Sequence, residues 1–219
     1  MRASHIPVLM IAVALSAIAL AATSNVDGPQ ARAAPAALVR AEGLAEDIQA
    51  DLEAGNWTMA RTRTAELQTN RPALRAVLRP RKLAGYEAAA DSLSAMLSRE
   101  DRPAALQWAN RVSRAIVGIM ANYDLTVPIQ VGYLDVAGRD VIYAAEGARW
   151  QDAAAAAREL SANYAGVGPH VARTDQTLDR RFRQRLREVD RAVAAKDAVR
   201  VRAIATALLD DVDLIEQTY

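Results

Sequence analysis

The sequence contains no cysteine. Disulfides, thiol catalysis, cysteine-ligated zinc, iron–sulfur clusters, covalent haem attachment and a lipid-bearing N-terminal cysteine are therefore excluded. Histidine is nearly as scarce, with 2 in 219 residues, and only His170 lies beyond the N-terminal segment. A multi-histidine metal site has no ligands to draw on. Nor is there an excess of charge, with Lys+Arg at 27 and Asp+Glu at 26. Residues 1–33 hold Arg2, Arg32 and Asp27, so the remainder balances at 25 of each sign. A neutral chain is not held to nucleic acid by bulk positive charge. No stretch alternates polar and apolar residues with period two, which predicts no significant strand. One histidine and no cysteine leave nucleophile–base–orienter arrangements without parts. The reading is of a non-enzyme with no cofactor and no metal.

What is present begins with an apolar run, Ile6 to Ala22, behind the basic opening Met1-Arg2-Ala3-Ser4-His5. This is the pattern of a secretory signal, and it assigns residues 1–33 to a signal peptide or N-terminal anchor. Small-x-small cleavage sites stand at Ala19-Leu20-Ala21 and Ala31-Arg32-Ala33. The run of 17 residues is near the lower limit for spanning a bilayer, so an uncleaved anchor is the alternative. Arginine outnumbers lysine 25 to 2, which fits a GC-rich bacterial genome. Both readings place the chain outside the cytoplasm, in the periplasm or anchored to the inner membrane.

The chain then repeats itself. Residues 35–74 align with 128–167 at an offset of 93, with eight identities in forty. Pro35 meets Pro128, Asp47 meets Asp140, Trp57 meets Trp150, Glu66 meets Glu159 and Asn70 meets Asn163. At an offset of 96 the match resumes: Tyr86 with Phe182, Asp101 with Asp197, Ala109 with Ala205, and Tyr123 with Tyr219. Apolar residues three and four apart recur throughout, as in Leu38, Ala41, Ala45, Ile48 and Leu52. That spacing builds one face of a helix. The fold expected is all-α: a tandem duplication of a four-helix up-down unit, about eight helices of roughly 15–25 residues. The units are 35–123 and 133–219, joined by a linker at 124–132. Gly55-Asn56, Arg79-Pro80, Gly147 and Gly166-Val167-Gly168-Pro169 read as breaks.

Gly55-Asn56-Trp57-x-x-Ala60, followed by Leu67 and Pro72, resembles the second helix of a tetratricopeptide repeat. The likeness covers about eighteen residues and recurs in part at Trp150 and Ala153. The family's period is about 34, so the chain is similar to helical-hairpin repeats generally. The resemblance implies protein or peptide binding and carries no specific binding residues over.

Candidate site residues come from charge. Arg180, Arg181, Arg183, Arg185, Arg187 and Arg191 form the sharpest block. Arg71, Arg75, Arg79, Arg81 and Lys82 form a looser one. Both are expected to pair with the acidic first helix (Glu42, Glu46, Asp47, Asp51, Glu53), the other use being an acidic lipid, an anionic ligand or an acidic partner. Arg71 also falls on an apolar stripe, as an inward charge would. His170, after a Gly-Pro break, reads as a loop or helix-start residue. Asp210, Asp211, Asp213 and Glu216 read as a solvated face. Together these features predict an exported, non-catalytic interaction or scaffold protein of the bacterial cell envelope, bound to another envelope protein. Membrane contact is expected only if the N-terminal segment stays uncleaved. The alternative is a periplasmic carrier with a site for a small molecule or metal in the bundle.

Overall fold

Three–four apolar spacing becomes helix along nearly all of residues 32–219, the part that the computed structural model describes. The helices are α1 (Ala36–Ala54), α2 (Trp57–Thr69), α3 (Arg71–Val77), α4 (Pro80–Arg99), α5 (Arg102–Met120), α6 (Ile129–Glu146), α7 (Trp150–Thr174), α8 (Gln176–Ala194) and α9 (Ala198–Glu216). There is no strand among the described residues, so the fold is all-α. Helices α1, α2, α4 and α5 close a ring of four, each packed on its neighbours in the chain, with α5 returning to α1. Helices α6 to α9 close a second ring, with α9 returning to α6. The rings meet where α5 packs on α6.

Each ring buries the predicted stripes. Leu38, Ile48, Leu52, Leu67, Tyr86, Leu93 and Ile116 fill the first, and Val141, Leu160, Tyr164, Phe182, Leu208 and Ile215 fill the second. Each large apolar side chain removed from water contributes about 1.5–3 kcal/mol. Ala41, Ala60, Ala90, Ala105, Ala153 and Ala205 are also buried, and their small side chains let the helices approach closely. Trp57, Trp108 and Trp150 pack at the margins of the core rather than inside it.

The helix ends correspond between the halves. Among the described residues, four have positive φ: Gly55 and Ala148, related by the offset of 93, and Glu100 and Lys196, related by 96. At each, the next residue's N–H bonds back five positions: Asn56 to Asp51, Arg149 to Ala144, Asp101 to Met96 and Asp197 to Ala192, at 2.7–3.2 Å. This is the Schellman closure, in which a left-handed residue lets the chain satisfy the orphan carbonyls of the last turn. Asp101 then caps α5 through Ala104 N, and Asp197 caps α9 through Arg200 N.

Three expectations are revised. The second helix of the first half is not continuous but breaks at Asn70 into α2 and α3, which gives nine helices among the described residues. Asn70 sends its side-chain amide to the Ala37 carbonyl at 2.7 Å, and Pro72, in the first turn of α3, has no N–H to carry the ladder on. Conversely, Gly166 to Pro169 does not break α7, which runs for 25 residues with Pro169 inside it. The clash that normally excludes helix before proline involves the preceding Cβ, and Gly168 has none. Finally, α6 begins at Ile129, inside the segment 124–132 expected to be linker. Residues 1–31, with the apolar run, lie outside the described residues. None of the described helices is long and apolar enough to cross a membrane.

Candidate functional site

The arginine block of α8 is partly consumed inside its own half. Arg181 pairs with Asp211 of α9 at 2.6 Å, and Arg185 pairs with the other oxygen of the same carboxylate. Arg183 bonds Asp179 at 2.8 Å and lies over the Tyr164 ring. Tyr164 in turn donates to Asp179 at 2.8 Å and stacks on Phe182 at 4.2 Å. Arg180 and Arg187 are exposed. Asp211 was expected on a solvated face but is 2% exposed. Burial of its carboxylate is compensated by the two guanidinium groups.

Neither basic block pairs with α1, contrary to expectation. Arg71 contacts Asp91 at 2.6 Å, and Arg75 contacts Glu87 at 2.7 Å, both on α4. For α8 the packing gives the reason: it lies against α7 and α9, whereas α1 is flanked by α2 and α5; α3 touches both α1 and α4, and its arginines reach the α4 carboxylates. Asp47 and Asp51 of α1 are met instead by Arg63 of α2, at 3.4 and 2.5 Å. Glu53 accepts from Tyr143 of α6 at 3.1 Å. Arg71 is half inward, bonding the Glu87 carbonyl as well, with its Nε buried and without a partner. His170 is neither loop nor helix start. It sits within α7, donates to the Thr218 carbonyl at 2.9 Å and stacks on Tyr219 at 4.0 Å.

Where the rings join, α5 supplies polar contacts beside that of Glu53 with Tyr143. Asn110 donates to the Val136 carbonyl at 2.8 Å and to Asp140 at 2.7 Å. Arg114 holds Asp140 at 2.8 Å and Glu159 at 2.5 Å. The offset identities Asp140 and Glu159 thus serve the join between halves, a role the sequence did not signal.

Two clusters of like charge form no ion pair among the described residues and bear on function. The first is acidic. Glu42 and Glu46 of α1 lie close enough to Asp213 and Glu216 of α9 to raise one another's pKa values. Burial, then Glu46 and Glu216, push Glu42 up to about 7. Burial, then Asp213 and Glu46, push Glu216 up to about 7. Glu46 and Asp213 are raised too, chiefly by burial, with Arg139 of α6 opposing. Glu46 and Asp213 nonetheless keep exposed surface, so solvent reaches the group and moderates the repulsion. No set of three or more such side chains among the described residues is arranged to hold a metal ion.

The second group is basic. Arg32, Arg79 and Lys82 line a pocket of about 210 Å³ with Val77, Leu78 and Tyr123. Arg32 is fixed by its backbone: its N–H donates to Asp124 Oδ2 at 2.5 Å, and its carbonyl accepts from Asp124 N at 3.0 Å. Its guanidinium lies 5.1 Å from the Tyr123 ring centroid, within cation–π range. Lys82 donates to Asn122 Oδ1 at 2.6 Å. Arg79 and Lys82 were visible in the looser basic block. Arg32 was missed because it had been assigned to the targeting segment, yet it is clamped to the folded body.

No protein family, curated protein or solved structure matches this chain.

Proposed function

We propose that the chain is exported to the bacterial periplasm and acts as a non-catalytic interaction protein of the cell envelope, recognising another envelope protein through charge. One observation carries this reading. In a nearly neutral chain, an acidic cluster of Glu42, Glu46, Asp213 and Glu216 and a basic cluster of Arg32, Arg79 and Lys82, with the exposed Arg81 beside it in the chain, form no ion pair among the described residues. Gathering like charges costs stability, and complementary potentials on a partner offset that cost while steering association. The exposed large apolar residues, Met59, Val77, Val199 and Leu214, are dispersed over α2, α3 and α9. A carrier would need an inward charge free to meet its ligand, and Arg71 is instead engaged by Asp91 and the Glu87 carbonyl.

The test is photo-crosslinking in the native host, with the reactive residue at Gly43 beside the carboxyl group, at Arg81, or at Arg180 as a reference. One recurrent protein adduct at position 43 or 81, absent at 180 and weakened by high salt, is the expected result. Adducts equally frequent at all three positions, or none in properly exported protein, would end the interaction reading.

A further inference from the structure

The two halves treat one corner differently. In the second half, His170 of α7 stacks on the terminal Tyr219 and closes the corner. At the same offsets the first half has Val77 and Tyr123. Valine cannot reproduce the stack, and the corner opens into the pocket of about 210 Å³. Three cations turn towards this opening. Arg79 stands at the head of α4, whose first turn carries Pro80 and no side-chain cap. Lys82 is held in place by Asn122 with two N–H groups to spare. Arg32 is fixed over Tyr123.

We propose that this corner binds a phosphate group carried next to a small apolar moiety, as in the headgroup region of a phospholipid. Arginine forks and a lysine point charge are the usual protein answer to phosphate oxygens, and the head of a helix adds aligned N–H dipoles. Val77, Leu78 and the Tyr123 ring supply an apolar wall that a bare anion would not need. The volume lies below the roughly 300–1,000 Å³ of sites for drug-sized ligands, so it takes a headgroup and not a whole lipid. The spacing along the chain brings a lipid source within reach of this corner. Ala22 ends the apolar run, and Arg32 follows ten residues later, a span of at most about 36 Å. A chain still anchored by that run cannot carry this corner further than that from the bilayer.

The proposal rests on reading the basic end as a contact surface, and phosphorus NMR tests it apart from crosslinking. The ligands are inorganic phosphate, dihexanoyl phosphatidylglycerol and dihexanoyl phosphatidylcholine, added to the full chain at about pH 8, where the neutral form of histidine prevails. Saturable broadening of the phosphatidylglycerol signal is expected, weakened about tenfold or more in Arg79→Gln/Lys82→Gln. Val77→His, which refills the corner as His170 does in the other half, should block binding while leaving every cation in place. Arg200→Gln, on α9, should change nothing. Equal affinity for free phosphate would retain the anion site and overturn the lipid source. No saturable broadening by any ligand, or broadening indifferent to both the charge variant and Val77→His, would overturn the proposal. A protein adduct at Arg81 without phosphate binding would sink this inference and leave the interaction reading standing.

Discussion

The two rings have the same helix order and the same turn geometry, yet they bury polar groups differently. In the first, Tyr86 on α4 carries the buried hydroxyl, which donates to the Leu67 carbonyl at 3.4 Å. Its counterpart Phe182 has no hydroxyl. The second ring carries it on Tyr164 of α7 instead, at the position of Arg71, and anchors it to Asp179. Arg71 needs Asp91 to reach inward, whereas Tyr164 stacks flat on Phe182 and α7 runs on unbroken. One backbone plan thus admits two solutions to a buried polar group, provided each donor finds an acceptor. The solution without a long cation leaves the longer, uninterrupted helix.

The largest test of this comparison removes the paired aromatics. Tyr86→Ala and Phe182→Ala should each cost about 3–5 kcal/mol in chemical denaturation, as expected for a fully buried ring. Costs differing by more than about 2 kcal/mol would show that the rings are not equivalent in packing.

Next is the carboxylate peculiar to the second ring. Asp211→Ala leaves Arg181 and Arg185 unmatched and should cost about 2–3 kcal/mol, less than for a wholly buried pair because both arginines reach solvent. Arg180→Gln and Arg187→Gln, at exposed positions, should stay within about 0.5 kcal/mol.

A smaller effect concerns the acidic cluster. Glu42 and Glu216 have folded pKa values near 7, above the ordinary 4.5. The folded state therefore binds more protons between these values, and stability present at low pH is lost as pH rises through about 7. Between about pH 5 and pH 8 the loss should amount to about 1–2 kcal/mol after solvent screening. Glu42→Gln/Glu216→Gln should flatten that slope in thermal melts across pH. An unchanged slope would remove these groups from the account.

The smallest test exchanges the turns. Gly55→Ala should destabilise by about 1 kcal/mol, and Ala148→Gly should stabilise by about 0.5–1 kcal/mol, because left-handed backbone strains any residue with a Cβ. Melting curves of the two variants should move in opposite directions. Shifts of the same sign would mean that the matched turns do not carry matched strain.

Much of the fold was legible in the sequence. The three–four apolar spacing of Leu38 to Leu52, the paired Trp57 and Trp150 at helix starts, and the capping aspartates 101 and 197 are local signals, and local geometry obeys them. Asn70 and Gly168 mark where reading residue by residue failed. Pro169 looked like a break and Pro72 did not, and the structure has it the other way round, because whether a proline interrupts a helix depends on the Cβ beside it and on what the neighbouring side chains grip. The candidate residues fared by the same rule. Arg181, Arg183 and His170 could be singled out by type, but their partners Asp211, Tyr164 and Thr218 lie in other helices or in another turn.

The sequence by itself determined the all-α class, the helix-forming stripes and the even charge balance, since each depends on composition or on residues within a few turns of one another. Only the tertiary structure decided which charges are spent and which are left over. Ring order set Arg185 against Asp211 and kept α8 away from α1. Ring closure brought Glu42 to Glu216 across 174 residues and Arg32 to Tyr123 across 91. Coulomb energy depends on distance in space, and sequence separation does not measure it.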